Sequence, residues 1–232
     1  MRGTIIRDCG TGIVIGALTW CVGFIRGSFI VGSKMAFFSG ASMIAPLAGA
    51  YGGITALLSM HIIRVSLMCT PDSLLSWSHI ALAYHIPTVC AGVYWAWIGS
   101  GKYYTWWSVR IGMALLPLCC MMLFSCDPIG SQAWQYTLFW LIPAASALIP
   151  HKHLLFHAYA STFIAHAVGS VLWVWTHTMP PTLWLGLIPV VMIERTAIAL
   201  GMVCSMVCIE RGICYLSRIY AFSHYIVSSL AS

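Results

Sequence analysis

The chain has 232 residues, of which 60% are hydrophobic and only 7% are charged, against about 25% charged residues in an ordinary soluble domain. Too few polar side chains remain to cover a water-facing surface, so most soluble folds are excluded and lipid is the expected surrounding. The net charge of +6 comes from 11 basic residues scattered along the chain without a run, which excludes a binder that tracks nucleic-acid phosphates.

In chain order, Met1 to Asp8 leads into an apolar stretch with no clear small-x-small cleavage site. It reads as a retained first span rather than a removed signal peptide. A span needs about 20 apolar residues, roughly 30 Å at 1.5 Å each. Such runs lie at residues 12–33, 80–99, 106–126, 133–149, 154–176 and 183–209. Between them stand helix breakers: Pro71-Asp72, Gly99-Ser100-Gly101, Asp127-Pro128-Ile129-Gly130, Pro150 and Pro180-Pro181. Each removes a backbone donor or loosens the chain.

Residues 35–68 are too long for one span and short for two. Pro46, Gly49, Gly52 and Gly53 cluster inside them and predict a break there, giving either two short spans or a re-entrant hairpin. Non-helical backbone at membrane depth is tolerated only against protein or a water-filled cavity. Pro46, Gly49 and Gly53 are therefore candidate binding residues. The expected fold is all-α: a polytopic transmembrane helical bundle of about six full spans plus a Pro/Gly-broken hairpin, in one domain covering residues 1–232.

With the N-terminus cytoplasmic, Arg2, Arg7, Lys102, Arg110, Lys152, Arg211 and Arg218 fall on or near the inner side, while Lys34, Asp72 and Asp127 sit outside. This follows the positive-inside bias and puts both termini in the cytoplasm. Tryptophans and tyrosines near span ends, among them Trp95, Trp106, Trp107, Trp134, Trp175 and Trp184, fit interfacial belts or line a pocket. Small residues recur at four-residue spacing at Gly12/Gly16, Gly23/Gly27 and Ala41/Ala45/Gly49/Gly53. Such ridges let backbones approach closely, within this chain or against a partner protein.

An ionisable residue at membrane depth costs about 2.5 to 3.5 kcal/mol unless paired or wet. Arg26, Arg64, Glu194 and Arg195 are the four candidates. Adjacent helical residues point about 100° apart, which sets Glu194 and Arg195 apart and makes Arg26 or Arg64 the expected partner of Glu194. The pair is either structural or a substrate or proton site. The triplet Ile193-Glu194-Arg195 recurs as Ile209-Glu210-Arg211 with no longer repeat around it.

Ten cysteines include no C-x-x-C pair, and most lie in apolar runs, where cysteine behaves as a small hydrophobe. His153 and His157 are one turn apart, so a metal or haem reading is open to them, although no H-E-x-x-H or second acidic ligand accompanies them. His166 lies in a run of small and hydroxylated residues from Ser161 to Ser170, which predicts close packing or a polar cavity wall. With no G-x-S-x-G and one deep carboxylate, nucleophilic catalysis has little support, and no cofactor is called for.

The stretch Phe37-Phe38-Ser39-Gly40-Ala41-Ser42-Met43-Ile44-Ala45-Pro46-Leu47-Ala48-Gly49-Ala50-Tyr51-Gly52-Gly53 resembles the Pro-Leu-Ala-Gly and Gly-Gly stretch of the substrate-binding subunits of energy-coupling-factor vitamin transporters. The resemblance implies a bacterial inner-membrane protein that captures a vitamin-like molecule from outside. It also implies docking onto a transmembrane coupling protein driven by cytoplasmic ATPases. The function expected is binding and helping to translocate a small, planar molecule, with Glu194, Arg195, Arg26, Arg64, Pro46, Gly49, Gly53 and His166 as the site. An intramembrane histidine-dependent metal or haem enzyme and a structural or assembly subunit are the alternatives.

Overall fold

A computed structural model describes residues 2–27, 38–68, 85–99, 106–149 and 153–230. The described chain is a helical bundle. Helix α1 (Arg2–Val22) is followed by a two-residue antiparallel pairing, Arg26 with Ser39 and Gly27 with Phe38. Next come α2 (Ala41–Ile44), α3 (Leu47–Met68) and α4 (Ile86–Tyr94), which runs into one π-helical turn, Trp95–Gly99. Then follow α5 (Trp107–Cys126), α6 (Pro128–Gln132), a 3₁₀ segment (Trp134–Trp140), α7 (Leu141–Leu148), α8 (Leu154–Thr176) and α9 (Pro181–Leu230).

Among the described residues, four segments are long and apolar enough to cross a membrane: Thr4–Val22, Trp107–Cys126, Leu154–Thr176 and Pro181–Tyr215. The expected spans at 106–126 and 154–176 match α5 and α8. Of the expected first span at 12–33, residues 28–33 lie outside the described residues; within the rest the helix begins earlier, at Arg2, and ends at Val22, where Gly23 and the short strand pairing take over. Arg7 and Asp8 fit inside it because they pair with each other near its exposed end, 3.4 Å apart. The run at 133–149 is divided. Pro143 has no N–H to give a continuous helix, but in the first turn of α7 that donor would be unpaired in any case. Of the run at 80–99, residues 80–84 lie outside the described residues, as does residue 35–37 of the broken segment.

The expected break is present. Gly52 and Gly53 leave helical geometry inside α3, and Gly53 takes φ +60° and ψ −151°, a region open essentially to glycine alone. Small residues then close the packing within the chain. A side chain on Gly12 would strike the backbone of Ala56 and the Cβ of Ser59, so α1 and α3 approach closely. Gly49 does the same for α3 against the Gly92 carbonyl of α4.

Helix α8 sits in the middle, packed by α4, α5, α7 and α9. Around it lie the aromatic core of Phe124, Tyr136, Trp140, Phe163 and Trp184 and a second cluster of Leu47, Trp95, Ala158, Ile198 and Met202. Two charged side chains pin the ends of elements. Asp127 caps α6, its Oδ1 accepting from the N–H groups of Ile129 at 2.8 Å and Gly130 at 3.1 Å. Arg110 is buried, donates through Nε to the Ala147 carbonyl at 2.9 Å and through its guanidinium to the Leu148 carbonyl. It thus binds the negative end of α7, and its guanidinium stacks 4.4 Å over the Trp107 ring.

Candidate functional site

Helix α9 is apolar along the face that enters the bundle: Trp184, Leu187, Val191, Ile198 and Met202 are all buried. Glu194 falls on that face, between Val191 and Ile198, because three- and four-residue steps return to the same side of a helix. Its side chain is only 7% exposed and that of Arg195 12%.

Contrary to the expectation from helical spacing, Glu194 and Arg195 pair with each other, Arg195 Nη2 standing 2.9 Å from Glu194 Oε1. The Cβ atoms diverge, but the long guanidinium arm curls back around the helix, and in a low-dielectric interior a separated pair is far costlier than a bent side chain. Arg195 Nη1 also reaches α8, donating to Thr162 Oγ1 at 3.2 Å. The side chains of Arg26 and Arg64, the partners expected for Glu194, lie outside the described residues.

Thr162, His166 and Ser170 recur at four-residue spacing on α8 and so form one polar seam facing inward, about 12 Å long at 1.5 Å per residue. The 3₁₀ segment closes over it. Tyr136 sets its ring 5.3 Å from His166 and its hydroxyl 3.5 Å from Ser170 Oγ. Trp140 stands 6.3 Å from His166, and Trp184 4.9 Å from Tyr136. Arg195 lies within electrostatic reach of both His166 and Tyr136.

Several polar atoms of this region are sealed from solvent without a hydrogen-bond partner: Arg195 Nε, His166 Nε2 and the indole nitrogens of Trp140 and Trp184, while Glu194 Oε1 is held by the ion pair with Arg195 Nη2. Buried polar groups are ordinarily satisfied by protein, water or ligand, which makes this region a candidate site. Donors and an acceptor stand beside aromatic rings, an arrangement that can hold a flat molecule by its edge and faces.

Of the residues expected in the site, Glu194, Arg195 and His166 come together. Pro46, Gly49 and Gly53 do not join them. Their segment packs further along α9, where Leu47 meets Ile198 and Met202, Met43 fills the space over Gly201, and the Tyr51 hydroxyl donates to the Met206 carbonyl at 3.3 Å. The expected His153/His157 face does not form either. His153 is the exposed residue before α8, with extended backbone. His157 is buried, its Nδ1 3.2 Å from the Tyr94 hydroxyl, which also meets Ser146 Oγ at 2.8 Å. Among the described residues, no three His, Cys, Asp or Glu side chains gather as a metal ion would need.

Tyr136 and Trp140 are the members that sequence reasoning missed. Neither lies in a periodic pattern pointing at His166, because the 3₁₀ turn rather than an α-helical repeat brings them there. Thr162 and Ser170 were legible as a four-residue polar spacing around His166. The chain matches no family model, no curated protein and no solved structure.

Proposed function

We propose that this chain is an integral membrane protein that binds a small planar molecule in the Glu194 seam and helps to translocate it. One observation carries the proposal: a buried Glu194–Arg195 pair beside His166, Tyr136 and Trp140, with several sealed polar atoms left open. Intramembrane charge is costly and is by default functional. The aromatic rings supply stacking faces, and Glu194 and Arg195 supply an acceptor and a donor for the edge of the ligand.

In this proposal six spans plus the broken hairpin cross the membrane. The divided stretch from Trp134 to Leu148 counts as one of them, since its 3₁₀ and α turns together rise about 26 Å. Both termini face the cytoplasm of a bacterial inner membrane, as the placement of basic residues favours. Exposed Trp106, Trp107, Trp134 and Trp175 at the ends of elements support an interfacial placement of those ends.

Energy for translocation comes from a partner: the family resemblance implies a transmembrane coupling protein with cytoplasmic ATPases. Glu194→Gln keeps the shape and removes the charge. Uptake by cells of the molecule that solvent extracts from the purified wild-type protein should fall in this variant while the protein level in the membrane holds. Equal uptake at equal protein level removes Glu194 from the site.

A further inference from the structure

The turn between α8 and α9 carries a second group of chemistry-bearing side chains, built on one indole. The His177 ring lies flat on Trp173, with ring centres 3.9 Å apart and planes 7° from parallel. At the edge of the same indole, Trp173 Nε1 donates to Met179 Sδ at 3.0 Å. The backbone holds this arrangement. The His177 N–H donates to the Trp173 carbonyl at 2.9 Å, and Pro180 follows Met179, which keeps Met179 out of helical geometry.

Two hydrogen bonds decide which nitrogen of His177 carries the proton. The Thr176 hydroxyl has one hydrogen and donates it to the Leu172 carbonyl at 2.6 Å. Toward His177 Nδ1, 2.8 Å away, the same oxygen can then only accept. Nδ1 therefore bears the ring proton, and in the neutral imidazole Nε2 keeps its lone pair. Metal-ligating histidines are ordinarily oriented in this way, through the hydrogen bond of the other ring nitrogen. The Met179 thioether accepts one N–H and keeps a second lone pair. Two soft donors thus adjoin one indole, Nε2 from its face and Sδ from its edge. Met179, unbranched and with three rotatable bonds, can turn its sulfur toward the imidazole.

We infer that His177 Nε2 and Met179 Sδ form a binding site for a soft monovalent metal ion, Cu(I) in the first place. The ligands choose the ion. Thioether sulfur selects Cu(I), which accepts few ligands, whereas Zn²⁺ is held by several thiolate, imidazole or carboxylate groups. Trp173 and Thr176 are positioning residues: the indole sets both ligands, and the hydroxyl fixes the tautomer. His177 and Met179 are half-buried and Thr176 and Thr178 exposed, so the ion reaches the site from outside the bundle. The site is separate from the Glu194 seam and does not depend on the translocation proposed above.

The test follows the ¹³C-labelled methionine methyl groups of the full chain in detergent micelles by NMR, titrated with Ag(I), which shares the ligand preference of Cu(I) and keeps its oxidation state. Cysteines described as free would take the same ion, so N-ethylmaleimide blocks them first. The methyl signal that Met179→Leu removes should shift and saturate before those of the other methionines. In His177→Phe, which keeps a ring to stack on Trp173, the early shift should be lost, and in Thr176→Val it should need about tenfold more Ag(I). His153→Gln, elsewhere on the chain, should titrate as wild type. If His177→Phe does not fold, His177→Gln takes its place. A Met179 signal that shifts no earlier than the other methionines overturns the site, as does an early shift that persists without His177.

Discussion

Arg195 Nη2 stands 2.9 Å from Glu194 Oε1, so two residues adjacent in the chain form an ion pair inside the bundle. Removing one partner of such a pair leaves an uncompensated buried charge, at a cost of about 3–5 kcal/mol, whereas replacing both with apolar residues of similar size is often nearly neutral. Glu194→Leu and Arg195→Met should each lower the melting temperature in detergent markedly, and the double variant should melt closer to wild type than either. A double variant that adds the two single losses contradicts the pairing.

Arg110 holds the last carbonyls of α7, and the geometry uses two nitrogens of one planar fork. Hydrogen bonds to charged groups are worth about 1.5–3 kcal/mol, and lysine cannot reproduce the fork. Thermal unfolding should show both Arg110→Met and Arg110→Lys destabilised to similar extents. Full rescue by lysine would mean that the charge alone matters.

The break in α3 depends on Gly53 at φ +60°. Any other residue there is strained by about 1–3 kcal/mol. Gly53→Ala should lose stability of that order. Gly112→Ala, in α5 with open space where its Cβ would go, should gain up to about 1 kcal/mol from helix propensity. Equal effects at the two positions would contradict the local geometry.

The small-residue ridges carry a similar contrast. At Gly49 a methyl group meets the Gly92 carbonyl, and at Gly186 it meets nothing within 4 Å. Gly49→Ala should lower the melting temperature or the yield of folded protein, while Gly186→Ala, inside helix α9, should keep both or raise the melting temperature slightly. Tolerance at Gly49 would show that α3 and α4 are not packed through that ridge.

How much of this was legible beforehand depended on the kind of signal. Helix α8 was read to its ends because the breakers Pro150 and Pro180-Pro181 bound a predominantly apolar run of helical length. The Gly52–Gly53 break was legible because glycine pairs have a local meaning. The first helix was misplaced because Arg7 and Asp8 look like a flank, although a mutual pair lets them stay within a helix. The Glu194–Arg195 pair was missed for a related reason: Cβ directions fix where a side chain starts, and a guanidinium arm is long enough to end elsewhere. Tyr136 and Trp140 were beyond reach, since only the fold brings a 3₁₀ turn over His166.

The most direct measurement of the central claim is native mass spectrometry of the full chain released from lipid discs, comparing wild type, Glu194→Gln and His153→Gln. The account predicts a small-molecule adduct on wild type and His153→Gln that is absent from a folded Glu194→Gln protein. An adduct undiminished in Glu194→Gln, or none on wild type released from native membrane, would contradict it.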